Sequence, residues 1–176
     1  MTIGTAKPIL AQTAIVGGPS VPFDDAREVA SWPAKLEIAQ DFPITGITVR
    51  HGWIINNLTI IYRTVNGNSA TVSHGGDSGG IVDKVALNEN EIITSVQGRA
   101  GQHRSYNRPY LCSISFTILD TKTLVTRTTN IFGNGDGTNQ GDPFQVAQPY
   151  AFAGATYTDG QTGVAGLSFF KVITNA

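Results

Sequence analysis

Short runs of β-branched and aromatic residues, cut at intervals by glycine-rich turns, limit what this chain can fold into more than any other feature. Ile44, Ile47 and Val49, then Ile54, Leu58, Ile60 and Tyr62, fall in stretches of strand length. Ile92 to Val96, Leu111 to Leu119, Thr123 to Thr128 and Leu167 to Ile173 continue the pattern. Such side chains pack well on a pleated, half-buried surface. Asn66-Gly67-Asn68, Gly75 to Gly80, Gly133 to Gly141 and Asp159-Gly160 separate the runs with turn chemistry. Cys112, Ile114, Phe116 and Ile118 alternate with Leu111, Ser113 and Ser115, giving one apolar and one polar face. Helical periodicity is weak, and its best stretch, Ala26 to Ile38, is interrupted by Pro33. The expected class is all-β: a sandwich, a barrel or a prism, among which periodicity does not choose. Glycine turns near residues 17, 75, 133 and 160 hint at repeated Greek keys, at uneven spacing.

A chain of 176 residues suits one domain. Its net charge of −1, with 14% charged residues, argues against a nucleic-acid partner, which needs a basic field. No run of 18 apolar residues exists, so no membrane insertion is expected. Met1 to Pro8 lacks a basic start followed by a long apolar core. A cytoplasmic protein, or one exported without a signal peptide, is the expectation. Cys112, in an apolar strand pattern, reads as a buried thiol.

Gly76-Asp77-Ser78-Gly79-Gly80 spells the nucleophile loop of trypsin-like serine proteases, and Ile15-Val16-Gly17-Gly18 resembles the mature N-terminus of that family. Ser78 would be the nucleophile, needing a histidine base and an aspartate behind it. Spacing opposes this. About 60 residues between Gly18 and Asp77 are too few for the family's first barrel, and His51 lies 27 residues before Ser78 in unlike surroundings. Residue 14 is Ala, not a basic residue at an activation cleavage, and a single cysteine forms no internal disulfide. Ser78 then reads as a small polar residue in a glycine turn.

The same loop, taken as His74 to Gly80, belongs to a longer series. Gly17-Gly18 with Phe23-Asp24-Asp25, Ile44 to Gly52, Leu58 to Tyr62, Leu87 to Gly98, Ile114 to Ile118, the glycines of 133 to 141 with Pro143-Phe144, and Gly166 to Phe170 follow in order. Over roughly residues 15 to 173 this series resembles the jacalin-related lectins of the mannose-binding type, and the long loops resemble fungal members. The resemblance implies a β-prism I fold, three four-stranded Greek-key sheets with pseudo-threefold symmetry. It implies a single lectin domain over 15–176, a preceding N-terminal extension over 1–14, and no catalysis. It also implies metal-free binding of mannose or high-mannose-type glycans or glycoproteins.

A monosaccharide is a ring of hydroxyls, each donor and acceptor; a carboxylate accepts from two neighbours while loop N–H groups donate back. Glycines let the backbone come close. Carried onto this chain, the family's loops become Gly17-Gly18, a middle loop at Gly98-Arg99-Ala100-Gly101, and a late loop within Gly154 to Gly163. The family acid falls at Ala165, which is no acid, so Asp159 in Tyr157-Thr158-Asp159-Gly160 is the substitute. The expected arrangement has Asp159 accepting sugar hydroxyls and the N–H groups of Thr158, Gly160 and Gly18 donating. Asp159-Gly160 also fits a plain hairpin turn. A second sugar site would use Asn56, Gly75, Gly76 and Asp77, with Asn56 standing where the family has an aspartate. Asp24 and Asp25 read as turn-fixing residues. Asn134 to Asp142 resembles a calcium loop but lacks the terminal glutamate and flanking helices, so it reads as a polar turn. Trp32 and Trp53 are open to either sugar stacking or core packing.

A single site of this kind binds weakly, so avidity calls for a homo-oligomer, expected as a dimer. Two alternatives remain: a serine hydrolase using Ser78, and a lectin-like protein-interaction scaffold without sugar binding.

Overall fold

The computed structural model describes residues 9–31 and 33–173, so Trp32 and the ends of the chain lie outside the described residues. Three antiparallel sheets account for nearly all regular structure. The first joins β1 (Ile9–Gln12), β14 (Gly163–Ile173), β13 (Ala151–Tyr157) and β3 (Val21–Asp24), with the short β2 (Val16–Gly17) also on β14. The second runs β6 (Ser69–Gly75), β5 (Ile55–Arg63), β4 (Ile44–His51), β7 (Ile81–Ala86). The third runs β10 (Thr126–Thr128), β9 (Arg108–Asp120), β8 (Glu91–His103), β12 (Asp142–Ala147), with the short β11 (Phe132–Gly133) also on β9. Each sheet therefore has a four-strand path, and the extra pieces are two-residue strands. Residues 9–12, within the stretch expected to precede the domain, hydrogen-bond to the last strand.

In the second and third sheets a hairpin-linked series is closed by a strand returning beside the first, which is a Greek key. The first sheet repeats this order in permuted form, its last strand β14 pairing with its first, β1. Three corners make the repeat visible. Gly17, Gly75 and Gly133 all have positive φ, at 89°, 110° and 82°. The next residue in each case donates its N–H to a carbonyl: Gly18 to Ala165 (3.0 Å), Gly76 to Asn56 (2.8 Å), Asn134 to Cys112 (2.9 Å). Those acceptors sit at register shifts where one strand carries an extra residue, a β-bulge. Gly75 follows Gly17 by 58 residues and Gly133 follows Gly75 by 58. The uneven spacing expected from the sequence came from counting the turn at 160 with these three.

The bulge also corrects the alternation around Cys112. Arg99 pairs with Ser113 but Ala100 pairs with Leu111, so Cys112 is the extra residue. Leu111 thereby turns into the main core beside Ile114, Phe116 and Ile118, while Cys112 packs with Ile54 and Tyr110 at one end of the molecule. Burial pushes the Cys112 thiol up to about 11, leaving it an inert thiol.

The one helix among the described residues, α1 (Asp25–Val29), is capped by Asp24, whose carboxylate accepts from the Arg27 N–H. Its first residue, Asp25, has no exposed surface. The Asp25 carboxylate accepts from the Tyr62 hydroxyl and meets His74 Nε2 at 2.5 Å, while the Tyr62 oxygen accepts from the Phe152 N–H. Asp25 is therefore the centre of a buried network joining the first and second sheets, not a surface turn residue. His51 joins the second and third: its Nδ1 accepts from Gly133 N–H at 3.0 Å and its Nε2 faces Asp83 at 2.8 Å.

Candidate functional site

The three first hairpins and the three Greek-key connections gather at one end of the prism. Close approaches fix their order. At Gly18 a Cβ would collide with Pro109, at Gly76 with Thr162, and at Gly135 with the Gly52 carbonyl. Each connection thus rests on the hairpin of a neighbouring sheet, and glycine is present where the backbones come together.

The expected sugar loops meet here in part. The β13–β14 turn, residues 158–162, presents exposed Thr158, Asp159 and Gly160 next to half-buried Tyr157. Asp159 is held by two groups. Arg108 at the start of β9 donates to both its oxygens, at 3.0 and 2.8 Å from Nη1 and 2.5 Å from Nη2. The Gln161 N–H donates to the same carboxylate at 3.2 Å, the local turn bond that a hairpin aspartate makes. The Arg108 guanidinium lies 3.7 Å over the Tyr157 ring. Below, the Tyr110 hydroxyl donates to the Gln161 carbonyl at 2.8 Å. The Asp159 side chain remains 61% exposed while Arg108 is 21% exposed. The result is a carboxylate held in one place with open acceptor capacity toward solvent.

Arg108 was not anticipated. The pair spans 51 residues between two sheets, and no sequence spacing connects them.

Two expectations fail on geometry. Gly98, Arg99 and Ala100 are not a loop: β8 runs unbroken through His103, and the turn is residues 104–107. The Cβ position of Gly98 is taken by the Ser113 carbonyl, Ala100 is buried behind Gly17, and Arg99 donates to the carbonyls of Gln140 and Gly141. The Gly18 N–H is committed to Ala165, so it does not donate outward. Ala165 itself is buried, and an acid at that position would point into the protein interior.

The second corner has the same backbone. Gly75 and Gly76 turn against Asn56, Gly76 is buried against Thr162, and Asp77 is exposed in the β6–β7 connection. Asn56 lies beneath Gly79 and Gly80, with its side-chain oxygen 3.2 Å from where a Cβ of Gly80 would sit. Ser78, in that connection, is exposed, and the two histidines that precede it in sequence are engaged elsewhere: His51 with Asp83 and His74 with Asp25. The 134–142 segment is a polar turn in which Asp136 accepts from the Thr138 N–H and the Gln140 amide.

Comparison with known proteins adds the following. The family model described as Jacalin-like lectin domain matches residues 22–162. Against curated protein sequences nothing matches. Among solved structures, a Malaysian banana lectin is similar with a TM-score of 0.69 at 18% identity, covering 96% of this chain and 100% of that one. A mannose-binding lectin from champedak gives 0.70 at 18% identity, covering 96% and 99%. A mannose-specific jacalin-related lectin from Morus nigra, solved in complex with mannose, gives 0.65 at 21% identity, covering 98% and 99%. At these identities the likeness speaks for the fold.

Proposed function

The chain belongs to the jacalin-like lectin family and is a carbohydrate-binding protein, not an enzyme; from that premise we propose that it binds mannose-type glycans at the Asp159 corner. The observation that supports this is the exposed Asp159 carboxylate, clamped by Arg108 over Tyr157, with Gly18 lying against Pro109, the residue after Arg108. In this reading Asp159 accepts from two adjacent sugar hydroxyls, while the N–H groups of Thr158 and Gly160 donate. The remaining Arg108 edge offers a further donor. The similarity to the mannose-binding lectin from champedak and the mannose-specific lectin from Morus nigra supports the choice of sugar.

Calorimetric titration of methyl α-mannoside tests the assignment: Asp159→Ala is expected to abolish measurable binding, and an unchanged affinity sinks it. Binding is expected to survive EDTA, since hydroxyl recognition here needs no metal. Asn56, Gly75, Gly76 and Asp77 form a weaker second corner, lacking an acid at position 56. Assembly into a dimer supplies avidity, tested by light scattering at working concentration. A cytoplasmic location, or export without a signal peptide, remains part of the proposal, as does the likeness to fungal members. The competing scaffold reading draws on the missing acids at positions 56 and 165. A glycan array without a hit from folded protein favours it.

A further inference from the structure

We propose that Gly76 and Thr162 are positioning residues for the Asp159 carboxylate, so that the second corner holds in place the turn that binds sugar at the first. The proposal rests on the sugar-binding reading of Asp159. Gly76 lies outside the left-handed region, so its backbone angle does not call for glycine. Space does. A Cβ on Gly76 would run into the Thr162 hydroxyl and would lie 2.6 Å from the Thr162 Cβ. Since the Thr162 Cβ is itself too near, a different Thr162 rotamer does not relieve the collision, and the turn backbone has to move. Gly76 has no room to retreat. Its N–H donates to the Asn56 carbonyl at 2.8 Å, and Gly75 turns against the same carbonyl with a φ of 110°. Asn56 belongs to β5, a strand paired on both sides, whereas Thr162 ends the exposed turn of residues 158–162. The turn is therefore the partner that yields.

Two sheets hold the base of that turn at consecutive residues. The Tyr110 hydroxyl, from the third sheet, donates to the Gln161 carbonyl at 2.8 Å, and Gly76, after the last residue of β6, meets Thr162. The Gln161 N–H in turn donates to Asp159 at 3.2 Å. A displacement of Thr162 thus reaches the carboxylate through a single residue. Arg108 is supported in the same manner, because the next residue, Pro109, lies against Gly18. The two halves of the clamp rest on two different corner connections. Bringing Thr162 from 2.6 Å to ordinary contact with a new Cβ takes about 1 Å. A binding constellation tolerates only about 0.5 Å.

The test joins calorimetry of methyl α-mannoside to amide NMR on the full chain, with the Gln161 resonance reporting the carboxylate to which it donates. Gly76→Ala is expected to weaken binding about tenfold and to shift that resonance. Adding Thr162→Gly to Gly76→Ala clears the collision, so affinity should return to within about threefold of the wild type and the resonance should return with it. A glycine placed in a turn without this coupling would only deepen the loss. Ser78→Ala, in the same connection, is expected to change neither reading. A Gly76→Ala protein that loses thermal stability but keeps wild-type affinity and resonance overturns the proposal. So does a binding loss that Thr162→Gly fails to recover. If the wild type binds no mannoside while the Gln161 resonance still moves and returns, the sugar reading falls and the positioning stands.

Discussion

The corners at Gly17-Gly18 and Gly75-Gly76 have one backbone and two chemistries. In both, a positive-φ glycine turns the chain and the following N–H closes on a bulged residue's carbonyl. What surrounds them differs. The first lies beside a turn that carries Asp159, clamped by an arginine from another sheet. The second has Asn56 tucked under glycines and an exposed Asp77, which pairs with no cationic side chain among the described residues. Pseudo-symmetry copies backbone because hydrogen bonding and glycine geometry demand it. It does not copy side chains, so the binding chemistry differs from corner to corner.

The largest effect is expected where the two corners are tied together. Asp25 follows the strand leaving the first corner, and His74 precedes the glycines of the second. Asp25→Ala strands both the Tyr62 hydroxyl and the His74 imidazole in the interior. A loss of about 3–5 kcal/mol in chemical denaturation is expected, and a loss under 1 kcal/mol would show that the corners are not coupled through this network. The pH dependence has a definite sign. Burial, the dominant cause, lifts the Asp25 carboxyl above the ordinary aspartate value. A group raised on folding stabilises below its unfolded pKa, and that contribution is lost as pH rises through the folded one. Asp25→Asn does not titrate, so its thermal midpoint should gain on the wild type as pH is raised through that window.

Next come the glycines themselves. Gly17→Ala and Gly75→Ala each place a Cβ against a backbone carbonyl at positive φ. About 2–3 kcal/mol is expected for each, read as a fall of about 4–12 °C in Tm. Similar losses at both positions confirm a shared backbone, and a large difference breaks the comparison. At the level of chemistry, Asp159→Ala should weaken mannoside binding by at least about tenfold, while Asn56→Ala leaves it within about twofold. Asn56→Asp sharpens the contrast further: calorimetric stoichiometry should rise from one sugar per chain toward two. The smallest effect is on stability at the first corner. Asp159→Ala removes a half-exposed pair and should change the unfolding free energy by about 1 kcal/mol or less, so its binding defect is not a folding defect.

Much of the fold was legible. Most strand runs, the turn at Asp159-Gly160 and the glycines at 17, 75 and 133 are where β-propensity and glycine chemistry put them; the run expected over Thr123 to Thr128 is shorter, a strand only at Thr126–Thr128 after the turn at 121–123. The middle loop was misplaced because Gly98 and Gly101 look like turn residues, whereas Gly98 is a close-approach glycine inside a long strand. Leu111 was assigned to the wrong face because a single extra residue at Cys112 reverses the alternation, and a bulge leaves no local signature. Sequence does not choose between sugar stacking and core packing for Trp53, because a ring's exposure depends on what the third sheet brings beside it.

By itself, then, the sequence determined an all-β chain broken by glycine turns, since those follow from local sterics and strand propensity; which of them are equivalent corners, 58 residues apart, came from the bulges they close on. It also spoke against the protease that Gly76 to Gly80 spells, because the partners are too near in sequence. Tertiary structure alone decided which groups remain free to bind. The Gly18 N–H is spent on Ala165, Arg99 on the 140–141 carbonyls, and Asp159 is oriented by an arginine 51 residues away. Hydrogen-bond capacity is settled only when distant strands meet, so the site could not be read before the sheets were packed.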